Sequence, residues 1–417
     1  MPPSWQHLDD SIEGQEKVIL GLILDLIVGT TAVFAFDYGI DRIDEPGVRF
    51  ELEGKSLAVL AHAASVDREG RHLIDLLRSR HRLVKIFTPE HGLRSMDDGF
   101  IDDGVDPESG LPVISLYKKN GRLPRPEDLF DVDVIVMDLQ DVGMRYYTYF
   151  STLAGFMKVA AILGKKVILL DRPNPIGGDR VEGSVLDASL AGNFIAYHQV
   201  PTRHGMTLGE LSLLFLTESR VSLPLQVVGV TGWRRQIFNA EFGREWRASS
   251  PALPAIEQVE LYAWVGALEQ FNLSVGRGVT NEAAFRVFGA PWITEEESLL
   301  LARELNELRL PGLVFLPHRQ RVTRAIYEGQ DIRGVRIELV GPPEERVRSD
   351  EAVYRVSSIL LQRFAGRITF GKFADLYFGN SSWKSAWAKG QGWEEFSASL
   401  ESDLMEFRLR RAPFLLY

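Results

Sequence analysis

The sequence predicts an α/β chain, a Rossmann-like parallel sheet domain followed by a smaller α+β domain, and three observations carry that reading. Short, β-branched, nearly continuous apolar runs recur at residues 55–61, 83–87, 133–138 and 166–171, as expected of strands buried on both faces. Stretches with helical spacing separate them, and such alternation implies a parallel sheet covered by helices. Polar residues crowd directly behind the strand ends, where ligands bind in open parallel sheets.

The elements follow in order. Residues 71–79 have helical spacing, with Leu73, Leu76 and Leu77 on one side. A longer helix is predicted over 151–163 and another over 207–217, where Thr207 and Glu210 have capping-box spacing. Residues 226–230 supply a further strand. Residues 246–267, rich in Pro, Ser and aromatics, read as a domain connection. Beyond it come a helix (295–308), a strand (334–339), a helix (349–364) and two more helices near 370–377 and 393–411. This order lacks regular βα alternation and predicts a second, α+β domain. The expected division is an N-terminal extension (1–45), a Rossmann-like catalytic domain (46–245) and an auxiliary domain (246–417).

With 45% apolar and 25% charged residues, the 417-residue chain has the composition of an ordinary globular protein. A formal charge of -10 argues against nucleic-acid binding. It also requires a local group of arginines wherever an anionic substrate is held. The absence of cysteine removes disulfides, thiolate catalysis and cysteine-ligated zinc. No two histidines have the close helical spacing of a zinc site, so neither metal nor cofactor is expected. Residues 18–36 form a largely apolar run interrupted by Asp25. Asp9, Asp10, Glu13 and Glu16 precede it where a signal peptide would carry basic residues. No stable membrane span is expected. The run reads as a helix, or as a signal or anchor that would place the protein outside the cytoplasm.

The most informative run is Phe87-Thr88-Pro89-Glu90-His91-Gly92-Leu93-Arg94. Pro89 ends sheet pairing, having no backbone N–H to donate, and Gly92 permits a sharp turn. Glu90 and His91 are thereby set at a strand end, a place suited to proton transfer. Behind the next strand come Asp138, Gln140, Asp141, Arg145, Tyr146 and Tyr147. Behind the one after come Asp171, Arg172 and Asn174, and behind residues 194–200 come Arg203 and His204. Buried charges are costly unless paired, so core packing does not explain this grouping. Plainer roles remain open for several: a local Asp171–Arg172 ion pair, an Asx turn at Asn174, packing for the tyrosines, and helix capping for Glu210. The tyrosines could equally stack on pyranose rings. Gly177-Gly178 lacks nucleotide-loop spacing, and Ser381-Ser382-Trp383-Lys384 lacks the companion motifs of penicillin-binding enzymes.

Taken in order, these segments resemble the exo-β-N-acetylmuramidases of peptidoglycan turnover, the NamZ-like family (DUF1343). Further matching stretches are Ser109-Gly110-Leu111-Pro112-Val113, Gly276-Arg277-Gly278, Gly289-Ala290-Pro291-Trp292 and the closing Phe414-Leu415-Leu416-Tyr417. The resemblance runs from about residue 38 to the end. It implies a cleft between the two domains, release of N-acetylmuramic acid from the non-reducing end of peptidoglycan fragments, and catalysis by the glutamate at Glu90. The family's second glutamate in the Glu269–Gly278 stretch is here Val275, and a threonine is Val279, changes expected to remove polar groups facing the sugar. Another amino-sugar substrate, or a glycan-binding protein without activity, is the alternative.

Glycoside cleavage needs a proton donor and a group that stabilises the oxocarbenium-like centre. Glu90 is the candidate acid/base, its proton affinity raised by the apolar strand end. Asp141, Asp138 or the substrate's own acetamido group are candidates for the second role, with His204 and His91 orienting. The lactyl carboxylate of muramic acid calls for an arginine clamp; Arg145, Arg172 and Arg277 are candidates. Gln140, Tyr146, Tyr147, Asn174 and Arg203 complete the expected sugar-binding set.

Overall fold

The computed structural model describes residues 36–94, 99–119, 121, 123–238, 242–277 and 283–417. The apolar run before Phe36, and Gly278 and Val279, lie outside the described residues. Strands β1 (Ser56–Leu60), β2 (Arg82–Thr88), β3 (Gly104–Val105), β4 (Pro112–Ser115), β5 (Val134–Met137), β6 (Lys166–Leu170) and β9 (Leu225–Val228) form one sheet. Its order is β3-β4-β2-β1-β5-β6-β9, and every pairing is parallel except β3 with β4. Helices α1 (Pro46–Leu52), α2 (Leu73–Arg78), α3 (Tyr149–Ile162) and α4 (Leu208–Glu218) accompany it.

All residues of β1 and β5 are buried, which explains why they read as unbroken apolar runs. Successive side chains point to opposite faces. Leu57 and Val59 join Val134, Val136, Ile168 and Leu170 on one face, with Leu73 and Leu77 of α2. Ala58 and Leu60 join Ile135, Met137, Val167 and Leu169 on the other, with Leu153 and Phe156 of α3. Phe36, Tyr38, Ile40 and Ile43, from the expected N-terminal extension, are buried in the first of these layers.

The smaller second domain comprises α5 (Ile256–Val265), β10 (Val287–Ala290), α6 (Glu295–Glu307), β11 (Leu313–Arg321), β12 (Asp331–Leu339), α7 (Ser349–Arg363), α8 (Ala374–Phe378), α9 (Ser382–Ala388) and α10 (Trp393–Arg411). Its antiparallel sheet has the order β10-β12-β11. The core on the α3 face runs unbroken into this domain through Tyr262, Phe288, Phe315 and Phe364. Phe36–Tyr417 is therefore one compact unit.

The stretch read as a connection contains α5, of which every residue from Gln258 to Val265 is buried. One expectation needs correction. Residues 194–200 form no strand of the main sheet. The chain there leads into β8 (Pro201–Arg203), which pairs with β7 (Glu182–Val185) in a separate two-stranded sheet. Arg203 and His204 thus arrive on a hairpin. Among the described residues no helix is long and apolar enough to cross a membrane.

Candidate active site

At the carboxyl end of β2 the chain turns sharply. His91 and Gly92 both have positive φ, 73° and 74°. Histidine is tolerated there at some cost. At Gly92 a Cβ would meet the Ile101 side chain at 2.9 Å. This turn leaves Glu90 partly exposed, on the wall of a cavity of about 550 Å³, a size suited to a small ligand.

The cavity draws on both domains. His91, Tyr117, Tyr146, Tyr147 and Thr148 line it from the sheet domain; Tyr262, Glu269, Arg277, Phe373 and Tyr377 line it from the second. Thr148 Oγ1 donates to Glu90 Oε2 at 2.5 Å. Thr148 occupies the N-cap position of α3 yet makes no side-chain capping bond, although capping is the usual task of a hydroxyl there. Its hydroxyl serves Glu90 instead.

The tyrosines are wall and packing at once. Tyr146 stacks on Tyr377 at 4.7 Å and 18°, so Tyr377 covers one face of Tyr146. Tyr146 Oη donates to the Tyr262 carbonyl at 3.2 Å, and Tyr147 Oη to Ser249 Oγ at 2.7 Å. Burial pushes the Tyr146, Tyr147 and Tyr377 hydroxyls up from their ordinary value, so they stay neutral at neutral pH.

The three arginines are placed very differently. Arg172 is held by Asp138, with Nη2 to Oδ2 at 2.8 Å and Nε on Oδ1, and Nη2 also reaches the Val66 carbonyl. Both side chains are almost wholly buried, so removing either partner would cost about 3–5 kcal/mol. Asp171 is not the partner expected for Arg172. Its carboxylate accepts from the Arg172 and Gly209 backbone N–H groups, Thr207 Oγ1 and Tyr417 Oη. Among the described residues no carboxylate pairs with Arg145. Its Nη1 and Nη2 donate to the Ser184, Val200, Leu376 and Tyr377 carbonyls. Burial pushes it down to about 9, still charged at neutral pH. Neither Arg145 nor Arg172 lines the cavity. Arg145 reaches it indirectly, by pinning the backbone of Tyr377.

Arg277 does line the cavity. Its Nη1 donates to Glu269 Oε1 at 2.7 Å, while Tyr377 Oη donates to Glu269 Oε2 at 3.2 Å. The preceding Gly276 has φ 77°, and a Cβ there would lie 1.9 Å from the Ala283 carbonyl oxygen, so glycine is required to bring Arg277 to the wall. Val275, expected to mark an altered sugar wall, is instead buried in the core and is not part of the cavity wall.

Of the remaining expected residues, only His91, Tyr146 and Tyr147 reach the wall. Asp141 and His204 are buried behind it. His204 Nδ1 accepts from the Met206 N–H, which sets the neutral ring's proton on Nε2, 3.6 Å from Asp141 Oδ2. Asp141 Oδ2 also accepts from the Gly143 N–H at 2.7 Å. The Gln140 side chain bonds the Asp141 and Pro173 carbonyls. Asn174 makes the Asx turn, Oδ1 accepting from the Ile176 N–H. Arg203 pairs with Glu182 and bonds the Ile176 carbonyl. Thr148 and Glu269 were missed. Thr148 carried no local signal of a partner near residue 90, and Glu269 lay in a recognised motif without an assigned role. Among the described residues no group of three or more His, Asp or Glu could hold a metal ion.

Two family models cover the chain, both described as exo-β-N-acetylmuramidase NamZ: the N-terminal one over residues 57–257, the C-terminal one over 260–417. The chain is 33% identical over 384 residues to the peptidoglycan β-N-acetylmuramidase NamZ of Bacillus subtilis (strain 168), covering 91% of each. A crystal structure of a DUF1343 family protein from Bacteroides fragilis NCTC 9343 is 31% identical, with TM-score 0.82 and coverage of 92% of this chain and 99% of that one. A second such protein from the same organism, at 24% identity and TM-score 0.73, shares the fold. With both domains matched in order and the Glu-His-Gly turn on the cavity wall, the chain belongs to the NamZ exo-β-N-acetylmuramidase family.

Proposed function

We propose that this protein is a glycoside hydrolase that releases N-acetylmuramic acid from the non-reducing end of peptidoglycan fragments, with Glu90 as acid and base. The observation that carries the assignment is Glu90 on the cavity wall with one oxygen held by Thr148. Glu90 protonates the leaving sugar's oxygen as the bond to the anomeric carbon breaks, then takes a proton from the incoming water. Asp138 is spent on Arg172 and Asp141 lies behind the wall. This favours the substrate's own acetamido oxygen as the internal nucleophile. Arg277 is the clamp for the lactyl carboxylate, as the one arginine of the three candidates on the wall.

The test is Glu90→Gln, which keeps the shape and removes the proton donor. Turnover of a muramic disaccharide should fall at least about a hundredfold while substrate binding survives. A near-wild-type rate on both the disaccharide and an activated aryl muraminide would refute the assignment. Using both substrates matters, because a good leaving group hardly needs the acid.

A further inference from the structure

The cavity lining is unevenly exposed. Tyr146, Tyr147 and Tyr262 are each no more than 6% exposed, whereas Phe373 is 37% exposed. Tyr117 and Phe194 also line it and are partly exposed. Their rings lie 5.8 Å apart at 33°. Tyr117 also packs against Phe100, 5.2 Å away at 32°. Phe100 is absent from the cavity wall and is 53% exposed. Three rings in successive contact, turned only moderately against one another, therefore link the cavity wall to a solvent-exposed phenylalanine.

Three segments distant in sequence build this cluster, and local bonding holds each. The Ile101 N–H donates to the Tyr117 carbonyl at 3.0 Å, tying the Phe100 segment to the chain beyond β4. Asp103 accepts from the Ser115 N–H at 2.9 Å and from Lys118 Nζ at 2.8 and 2.9 Å. Phe194 stands on a turn in which Asn193 Oδ1 accepts from the Ile195 N–H and the Ala196 N–H donates to the Asn193 carbonyl. A single exposed phenylalanine needs no explanation, but a braced cluster of rings continuing from a cavity wall does.

We infer that Phe194, Tyr117 and Phe100 form a stacking platform for the part of the glycan that leaves, N-acetylglucosamine and the sugars beyond it. The inference rests on the proposed muramidase reading. An enzyme acting from the chain end holds the terminal sugar within its cavity, so the remainder must extend out of it. Aromatic side chains suit the C–H faces of pyranose rings.

The test compares wild type with Phe100→Ala and Phe100→Trp on a muramic tetrasaccharide and on an aryl muraminide, which lacks the leaving sugars. The ratio of kcat/KM on the tetrasaccharide to that on the aryl glycoside should fall about fivefold or more in Phe100→Ala, the scale of one aromatic contact. Phe100→Trp should hold the ratio near wild type. An unchanged ratio in Phe100→Ala overturns the platform. Calorimetric binding of a β-1,4-linked N-acetylglucosamine tetramer decides the question independently of turnover. Weaker binding in Phe100→Ala supports the platform; equal binding, or none to wild type, overturns it. Wild type that binds the tetramer in this Phe100-dependent manner but cleaves no muraminide refutes the proposed activity and leaves the platform standing.

Discussion

Removing Arg277 tests the muramic specificity most directly. Its side chain is 36% exposed, against 14% for Glu269, so the clamp works in a partly wet wall. Truncating one partner of a desolvated charge pair costs about 2–5 kcal/mol. Discounted by half for solvent screening, Arg277→Ala should cost about 1–2.5 kcal/mol of substrate binding, a rise in KM of roughly 5- to 70-fold. Glu269 sharpens the effect. With its cation gone, this carboxylate stays on the wall and repels the lactyl group. Arg277→Ala combined with Glu269→Gln should therefore bind muramic substrates better than Arg277→Ala alone. Arg277→Lys should rescue partly, keeping the charge without the planar fork. The assay is KM on an aryl N-acetylmuraminide beside the matched N-acetylglucosaminide, which has no lactate to lose. Equal losses on both sugars, or no change on the muraminide, would refute the clamp.

Thr148→Val removes the 2.5 Å bond to Glu90 with little change of shape; kcat should fall about tenfold or more with KM little altered, and Thr148→Ser should keep most of the rate. Equal rates for the Ser and Val variants would show that the hydroxyl is idle. Glu218, despite the desolvation that opposes it, is held at about 2 by hydrogen bonds from His198 and Arg410, below its usual 4.5. A carboxyl depressed on folding stabilises the protein above its unfolded pKa and loses that contribution as pH falls towards the folded one. Glu218→Gln should thus cost about 1 kcal/mol at pH 7, with the gap to wild type closing between about pH 4.5 and pH 2 in urea titrations; a gap independent of pH would contradict this.

How much the sequence could disclose depended on what each residue answers to. Strands β1, β5 and β6 were legible because two covered faces demand apolar residues throughout. β11 was not, since its burial lapses after Phe315 into the largely exposed Pro317, His318, Arg319, Gln320 and Arg321, and a half-wet antiparallel strand carries no such run. α5 was hidden by its neighbours: prolines and serines precede a helix that is buried nearly all round, which leaves no amphipathic stripe to read. Glu90 was legible because proline and glycine fix the local turn around it. The arginines were not, because a guanidinium's partners come from wherever the chain closes over it. Arg145 binds carbonyls at residues 184, 200, 376 and 377, so its role as a brace for Tyr377 is written in no local pattern. The same logic applies to the cavity as a whole. Glu90 and Thr148 stand on the sheet domain, Glu269, Arg277 and Tyr377 on the other, and one continuous core joins the two. The proton donor is therefore a property of one turn, whereas the pocket that would select its sugar exists only once both domains have packed together.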